Sequence, residues 1–256
     1  MVKCNTKSVS IAGSSDKRSI TETFVVTLDG RFLPMQLIYG GKTQQSLPRF
    51  KFPDGFSLSC NPKHFSNTDE SIKLIEEILL PYINDQRKAL GKPEQTALLI
   101  MDVFRGQITD DVRNLLKQNN IHVVLVPDNM TQLFQPLDLT VNKHCKSFLK
   151  KLFSKWFSQQ IENQLYLGKE VEDIDIKFQL TTIKPLHAKW LVEFYNEMTA
   201  ETGSKVIING WKASSIYDVL KMGSSSLPSI DPFHDISPLV EADDGAEQPA
   251  IKPLGT

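Results

Sequence analysis

The sharpest hydrophobic patterning lies mid-chain. Residues 96–101 (TALLIM) and 121–126 (IHVVLV) are short, continuous apolar runs with the length of fully buried strands. Between them Thr109 precedes a stretch reaching about Asn119, with Val112, Leu115 and Leu116 at helical spacing. Strand, helix and strand at this spacing predict a βαβ unit with parallel strands. Further upstream, residues 20–28 (ITETFVVTL) and 32–39 (FLPMQLIY) flank Asp29-Gly30, and Gly40-Gly41 closes the second run. This predicts a hairpin, with Pro34 weakening its second strand or placing it on an edge. Residues 8–12 (SVSIA) form a further short strand candidate.

The remaining segments read as helices and connectors. Residues 42–65 contain Pro48, Pro53 and Pro62 and read as a structured loop. Asn67 stands three residues before Glu70, a capping-box pattern. Ile72, Ile75, Leu79 and Tyr82 follow at helical spacing, and Pro81 predicts the end of that helix. A long helix is expected from about Asn142 toward Leu165, with Phe148, Leu149, Leu152, Phe153, Trp156, Phe157 and Ile161 on one broad apolar face. Residues 168–183 read as a connector. Pro185 then opens a helix whose Leu186, Trp190, Leu191, Phe194 and Met198 face inward. A last short helix is expected over Ala213–Leu220. The hairpin and the parallel unit together predict an α/β fold with a mixed sheet flanked by helices.

Composition refines this picture. Across 256 residues the net charge is −1, from 29 basic and 30 acidic residues. Residues 224–256 hold six acids, one base and five prolines, which predicts a disordered acidic Pro/Ser-rich tail. Without it the body carries 28 bases and 24 acids, a mildly basic balance. Cys4, Cys60 and Cys145 are scattered and lack zinc spacing, which suits a reducing compartment. No apolar run is long enough to span a bilayer, and the first residues show no secretory h-region. No Gly-rich phosphate loop, Ser/His/Asp set or Cys-x-x-Cys pair points to nucleotide hydrolases, serine hydrolases or zinc fingers.

Candidate chemistry gathers on two acids. Asp102 ends the first buried strand, where sites of open α/β sheets collect. Asp138 lies in Gln135-Pro136-Leu137-Asp138, just before the long helix. Singly, Asp102 reads equally as a turn-bonding aspartate and Asp138 as a plain N-cap. Brought to one point, two carboxylates can hold Mg²⁺ or Mn²⁺ through hard oxygen ligands. Such ions serve phosphodiester displacement.

Residues 97–105 (ALLIMDVFR), 121–127 (IHVVLVP) and 129–143 (NMTQLFQPLDLTVNK) resemble the DDE superfamily endonuclease domain of pogo/Tigger/jerky-type transposases. Asp16-Lys17-Arg18, the run Gly30–Thr43, residues 61–82, Trp190 and Gly210-Trp211-Lys212 fit the same group, so the likeness spans roughly 6–222. It implies an RNase H-like sheet in which Asp102 and Asp138 are the second and third metal-binding carboxylates, with Mg²⁺ or Mn²⁺ as cofactor and DNA as partner. It implies a nuclear location, with the cytoplasm as the alternative. The family's first carboxylate sits on a central strand upstream of the stretch matching Thr6–Gly13, and none of the five residues before Thr6 is acidic. The expectation is therefore a catalytically incomplete domain whose first central strand is missing or replaced. Either Ser8–Ala12 fills the slot, or the sheet is split, or the chain is a truncated or decayed copy, and this last is the reading adopted. The family's amino-terminal helix-turn-helix has no counterpart either. The organisation expected is an incomplete RNase H-like core over 1–166, a helical extension over 167–223 and the tail over 224–256.

Lys143, Lys146, Lys150, Lys151 and Lys155 give five bases and no acids within 142–155. They read either as phosphate contacts along DNA or as the solvated face of an amphipathic helix. Gln107 reads as a group that orients phosphate or bonds its own turn. His122 reads as a strand residue, His144 as a surface residue beside the site, and Trp156 and Trp190 as core. Two rival functions remain. One is an active Mg²⁺-dependent DNA endonuclease or strand-transfer enzyme. The other is a domesticated scaffold, homo-oligomeric or partnered through helix 142–165.

Overall fold

The computed structural model describes residues 20–102, 109–127 and 130–221. Gln107 and the 1–19 and 222–256 segments lie outside them, so the Ser8–Ala12 strand and the acidic tail are not tested. Among the described residues the fold is mixed α/β, with two small sheets flanked by helices.

The first sheet contains β1 (Ile20–Thr23), β2 (Gln36–Gly40) and β3 (Ser57–Asn61) in that spatial order. The expected hairpin forms: β1 and β2 are antiparallel with Ile20 opposite Tyr39, and Val26 bridges Phe32 closer to the turn. Gly30 takes φ +89° in that turn, where the absence of a Cβ removes the steric penalty. Pro34 donates no hydrogen bond, and the ladder is interrupted between Phe32 and Gln36. It does not put β2 on an edge, because β2 also pairs in parallel with β3. That third strand lies within the 42–65 stretch expected to be a loop. Its sequence, Ser-Leu-Ser-Cys-Asn, is too polar to signal a strand, yet Ser57 and Ser59 are buried. Ser59 Oγ donates to the buried Glu70 carboxylate at 2.6 Å, which satisfies one polar group with another.

Asn67 caps α1 (Thr68–Leu74) as its spacing predicts, its side chain accepting from the Glu70 amide at 3.0 Å. The helix does not stop at Pro81. It passes through a π turn (Ile75–Leu79) into α2 (Leu80–Leu90), with Pro81 in the first turn of α2. There the widened turn tolerates a residue with no amide hydrogen and a bulky ring. Gly91, at φ +65°, terminates it.

The second sheet pairs β4 (Ala97–Asp102) with β5 (Ile121–Val126) in parallel, as expected, across α3 (Asp110–Gln118). Thr109 occupies the N-cap position of α3 with extended backbone, but its hydroxyl makes no capping bond and is buried without a partner. Arg87 ties this unit together. Its guanidinium is buried and donates to the carbonyls of Gln95 (2.8 Å), Asn119 (2.8 Å) and Asn120 (3.2 Å), just before β4 and β5.

Beyond β5 come α4 (Thr131–Phe134), a π turn (Leu137–Val141) and α5 (Asn142–Tyr166). The apolar face expected on α5 is only half covered: Phe148, Leu149, Trp156 and Phe157 are partly buried, and Phe153 is 39% exposed. α6 (Leu180–Thr199) starts five residues before Pro185, which therefore lies inside the helix rather than opening it. Trp190, Leu191, Phe194 and Met198 are buried as expected. α7 (Glu201–Ala213) was not anticipated, and α8 (Ile216–Lys221) covers part of the short helix that was.

Two clusters form the core. One joins the first sheet to α5, α6 and α7 through Phe32, Leu37, Tyr39, Val141, Leu191, Phe194 and Trp211. The other joins α1, the π turn, α3 and β5 through Ile75, Leu79, Val112, Leu116 and Val123. Side chains from both sheets reach both clusters. Phe24, Val26 and Ile100 pack on the first, and Val25, Leu99 and Met101 on the second. Helices of both clusters thus flank the two sheets.

Candidate functional site

A cavity of about 640 Å³ separates the two sheets. One wall is the run Glu22–Leu28, comprising the end of β1 and the strand's continuation. The opposite wall is Ala97–Asp102, the whole of β4. Gln135, Pro136, Leu137 and Asn142 border the same cavity.

Asp102 is the last residue of β4, in register with Val126, and lines the cavity. Asp138 belongs to the π turn Leu137–Val141. It is not an N-cap: Pro136 before it is already helical (φ −55°, ψ −37°), and α5 follows without a break. The Asp138 amide donates to the Gln135 carbonyl at 3.1 Å, and its carboxylate accepts from Asn142 Nδ2 at 2.5 Å. Since Asn142 lines the cavity, one hydrogen bond separates Asp138 from its wall. A π turn re-aims side chains relative to a regular helix and recurs at functional sites.

The π turn is held from behind by α7. An added Cβ at Gly210 would lie 2.7 Å from the Pro136 carbonyl oxygen and 2.5 Å from Thr140 Oγ1, so only glycine allows this approach. The next residue, Trp211, donates from Nε1 to the Thr27 carbonyl at 2.8 Å. Through these neighbours α7 fixes both the hairpin and the Asp138 turn.

Three oxygen groups border this end of the cavity: Asp102 lines it, Asp138 stands behind Asn142, and the Gln135 amide oxygen is buried without a partner. That chemistry fits a hard divalent cation such as Mg²⁺ or Mn²⁺. Among the described residues, no three His, Cys, Asp or Glu side chains come together as a metal-binding group.

Lys143, Lys146, Lys150, Lys151 and Lys155 are all exposed along α5. His144 is held away from such chemistry. Its Nε2 lies 2.6 Å from Glu197 Oε1, pinning α5 to α6. His122 sits partly buried in β5, and Trp190 is core.

The sequence reading missed a second polar group at the cavity. Glu22 lines it, with Oε1 3.4 Å from His187 Nε2 on α6. Burial pushes the Glu22 carboxyl up to about 7 and the His187 imidazole down to about 4. Both groups therefore favour their neutral forms. Burial and the nearby Glu22 charge also raise the Tyr39 phenol, and the Cys145 thiol to about 12. A signal was available: His187 precedes Leu191, Phe194 and Met198 at helical spacing, on the buried face of α6.

Residues 17–176 match the family described as DDE superfamily endonuclease, which is more than half of the chain. The chain belongs to that family. Among curated proteins it is similar to the human "Pogo transposable element with KRAB domain", 30% identical over 141 residues, 55% of this chain and 22% of that protein. The mouse protein of that name is 28% identical over the same length, with the same coverage of each chain. The human "Pogo transposable element with ZNF domain" is 24% identical over 158 residues, 62% of this chain and 10% of that protein. The chain thus spans about a fifth or less of these relatives' length. No solved structure matches it. Among the described residues no helix is long and apolar enough to cross a membrane.

Proposed function

We propose that this DDE domain is a DNA-binding unit of transposase origin, acting in the nucleus, whose catalytic centre is incomplete. In this reading the two sheets are halves of one RNase H-like sheet, ordered β3, β2, β1, the cavity, β4, β5. Asp102 and Asp138 are the metal-facing carboxylates, and Gln135 supplies a further oxygen. A bound Mg²⁺ or Mn²⁺ would neutralise phosphate charge there. Two carboxylates leave a two-metal clamp short of a bridging ligand. The domain then binds DNA and cuts it poorly or not at all.

The observation that carries this reading is the continuity of the Asp138 turn with α5. The helix that begins at the acidic site presents five exposed lysines along its length. Such a face neutralises phosphates while the acids lie at its start, the arrangement a backbone-reading DNA site needs.

The test combines metal and DNA binding. Mn²⁺ titrated by calorimetry should show heat that Asp102→Asn and Asp138→Asn each abolish, and indifference to both substitutions removes the metal site. Mg²⁺-dependent nicking of supercoiled plasmid that Asp102→Ala eliminates would instead establish an active nuclease. One observation favours a second reading, a protein-binding scaffold. Around the end of α5, Tyr166 and Leu167 are 93% and 78% exposed, an apolar tip suited to a partner. Complex formation that ignores salt, without DNA affinity, would decide for the scaffold.

A further inference from the structure

The cavity between the sheets is bounded by two strand edges. Among the described residues β1 pairs only with β2, and β4 only with β5. Each therefore turns one edge of backbone N–H and C=O groups toward the space between them, and buried backbone groups demand partners. The cavity is also closed above and below by apolar side chains: Leu28 and Ile100 belong to one core cluster, Ile75 and Leu99 to the other. An extended segment is the shape that pairs with two edges at once and packs on both faces.

We propose that this slot is a strand-docking site and that its occupant is Ser8–Ala12 of the same chain, antiparallel to β1. Residues 1–19 lead directly into Ile20, the first residue of the edge strand that borders the slot. Seven residues (13–19) connect the two segments, and Gly13-Ser14-Ser15-Asp16 has the composition of a turn. Seven residues span up to about 23 Å, ample for a hairpin return. Val9 and Ile11 alternate with Ser8, Ser10 and Ala12. In the slot this sends two branched apolar side chains to one helical layer and three small ones to the other. Pairing of this kind restores the sheet without bringing a carboxylate, since Ser8–Ala12 contains none. This consequence, a complete sheet with an incomplete acid set, rests on the function proposed above, whereas the docking itself does not.

The test uses the full chain without DNA or metal, so its outcome is independent of the binding assays. Amide hydrogen exchange should show Val9–Ala12 protected at least 100-fold over free peptide rates. Ile11→Pro, which removes a donor in the middle of the segment, should release that protection together with protection of β1 and β4, and lower Tm. Ser15→Pro in the connecting turn guards against misfolding as the cause, and should leave Val9–Ala12 protected. Free-peptide exchange at Val9–Ala12 in a chain whose β2 and β5 amides stay protected overturns the proposal. So does slot-edge protection that grows with protein concentration, which would assign the occupant to a second copy.

Discussion

The Cα of Gly210 faces the carbonyl of Pro136 so closely that an added methyl group would stand 2.7 Å from that oxygen. In an ordinary helix interior, glycine to alanine is worth up to about 1 kcal/mol in favour of alanine. Here overpacking reverses the sign, at a cost of roughly 1–3 kcal/mol. Gly210→Ala should therefore lower Tm by several degrees, and by displacing the Pro136–Thr140 turn it should weaken Mn²⁺ binding through Asp138 as well. Thermal denaturation and calorimetry on one protein preparation check both. An unchanged or raised Tm would show that α7 does not buttress the turn.

Arg87 holds three carbonyls that precede β4 and β5. Arg87→Met keeps the apolar stem and leaves those oxygens without their charged donor. The Asn120 carbonyl keeps the Ala97 amide, and water reaches the exposed Gln95, so the expected loss is about 1–3 kcal/mol. Urea unfolding should register it, and hydrogen exchange should find β4 and β5 opening ahead of β2 and β3. Equal opening of both sheets would place the clamp elsewhere.

What was legible in the sequence follows from the strength of local patterning. β4, α3 and β5 could be read because a parallel strand buried on both faces leaves a continuous apolar run. The hairpin was signalled by Asp29-Gly30, and α1 by Asn67. β3 stayed hidden because its inward residues, Ser57 and Ser59, are polar, and Ser59 is satisfied by the distant Glu70, a contact no local window contains. Pro81 and Pro185 misled for a shared reason: each lies inside a helix where tertiary packing or a π turn absorbs its missing bond. Asp102 and Asp138 were singled out through their sequence surroundings alone. Glu22 and His187 were not, because 165 positions separate them and only the fold brings β1 against α6.

Lys143, Lys146 and Lys150 follow one another at i, i+3 and i+7 and share one face of α5. Each phosphate contact contributes about −0.9 to the slope of log K against log salt. Replacing the three with glutamine should make that slope shallower by roughly 2–3 and weaken binding to any duplex alike, with Tm unchanged because all three are exposed. Fluorescence anisotropy at several salt concentrations measures this. Equal slopes for parent and variant would mean the lysines merely keep the helix solvated.

The Glu22–His187 pair gives stability a distinctive pH dependence. Glu22 titrates near 4.5 when unfolded and near 7 when folded. Between those values the folded state holds the extra proton, so its contribution to stability is full below about pH 4.5 and declines as pH rises to 7. His187 behaves oppositely. Its value falls from 6.5 to about 4 on folding, so the unfolded state holds the extra proton and stability climbs from pH 4 to 6.5. From about pH 4.5 to 6.5 the two slopes offset one another in the parent chain. Glu22→Gln removes the falling slope, and relative to the parent its unfolding free energy should climb with pH across that window. His187→Gln removes the rising slope and should show the reverse. At 1.36 kcal/mol per pKa unit each divergence amounts to roughly 2–3 kcal/mol. Urea unfolding of the three proteins at half-unit steps from pH 4 to 8 separates the curves, and parallel profiles would show that neither group is buried as described.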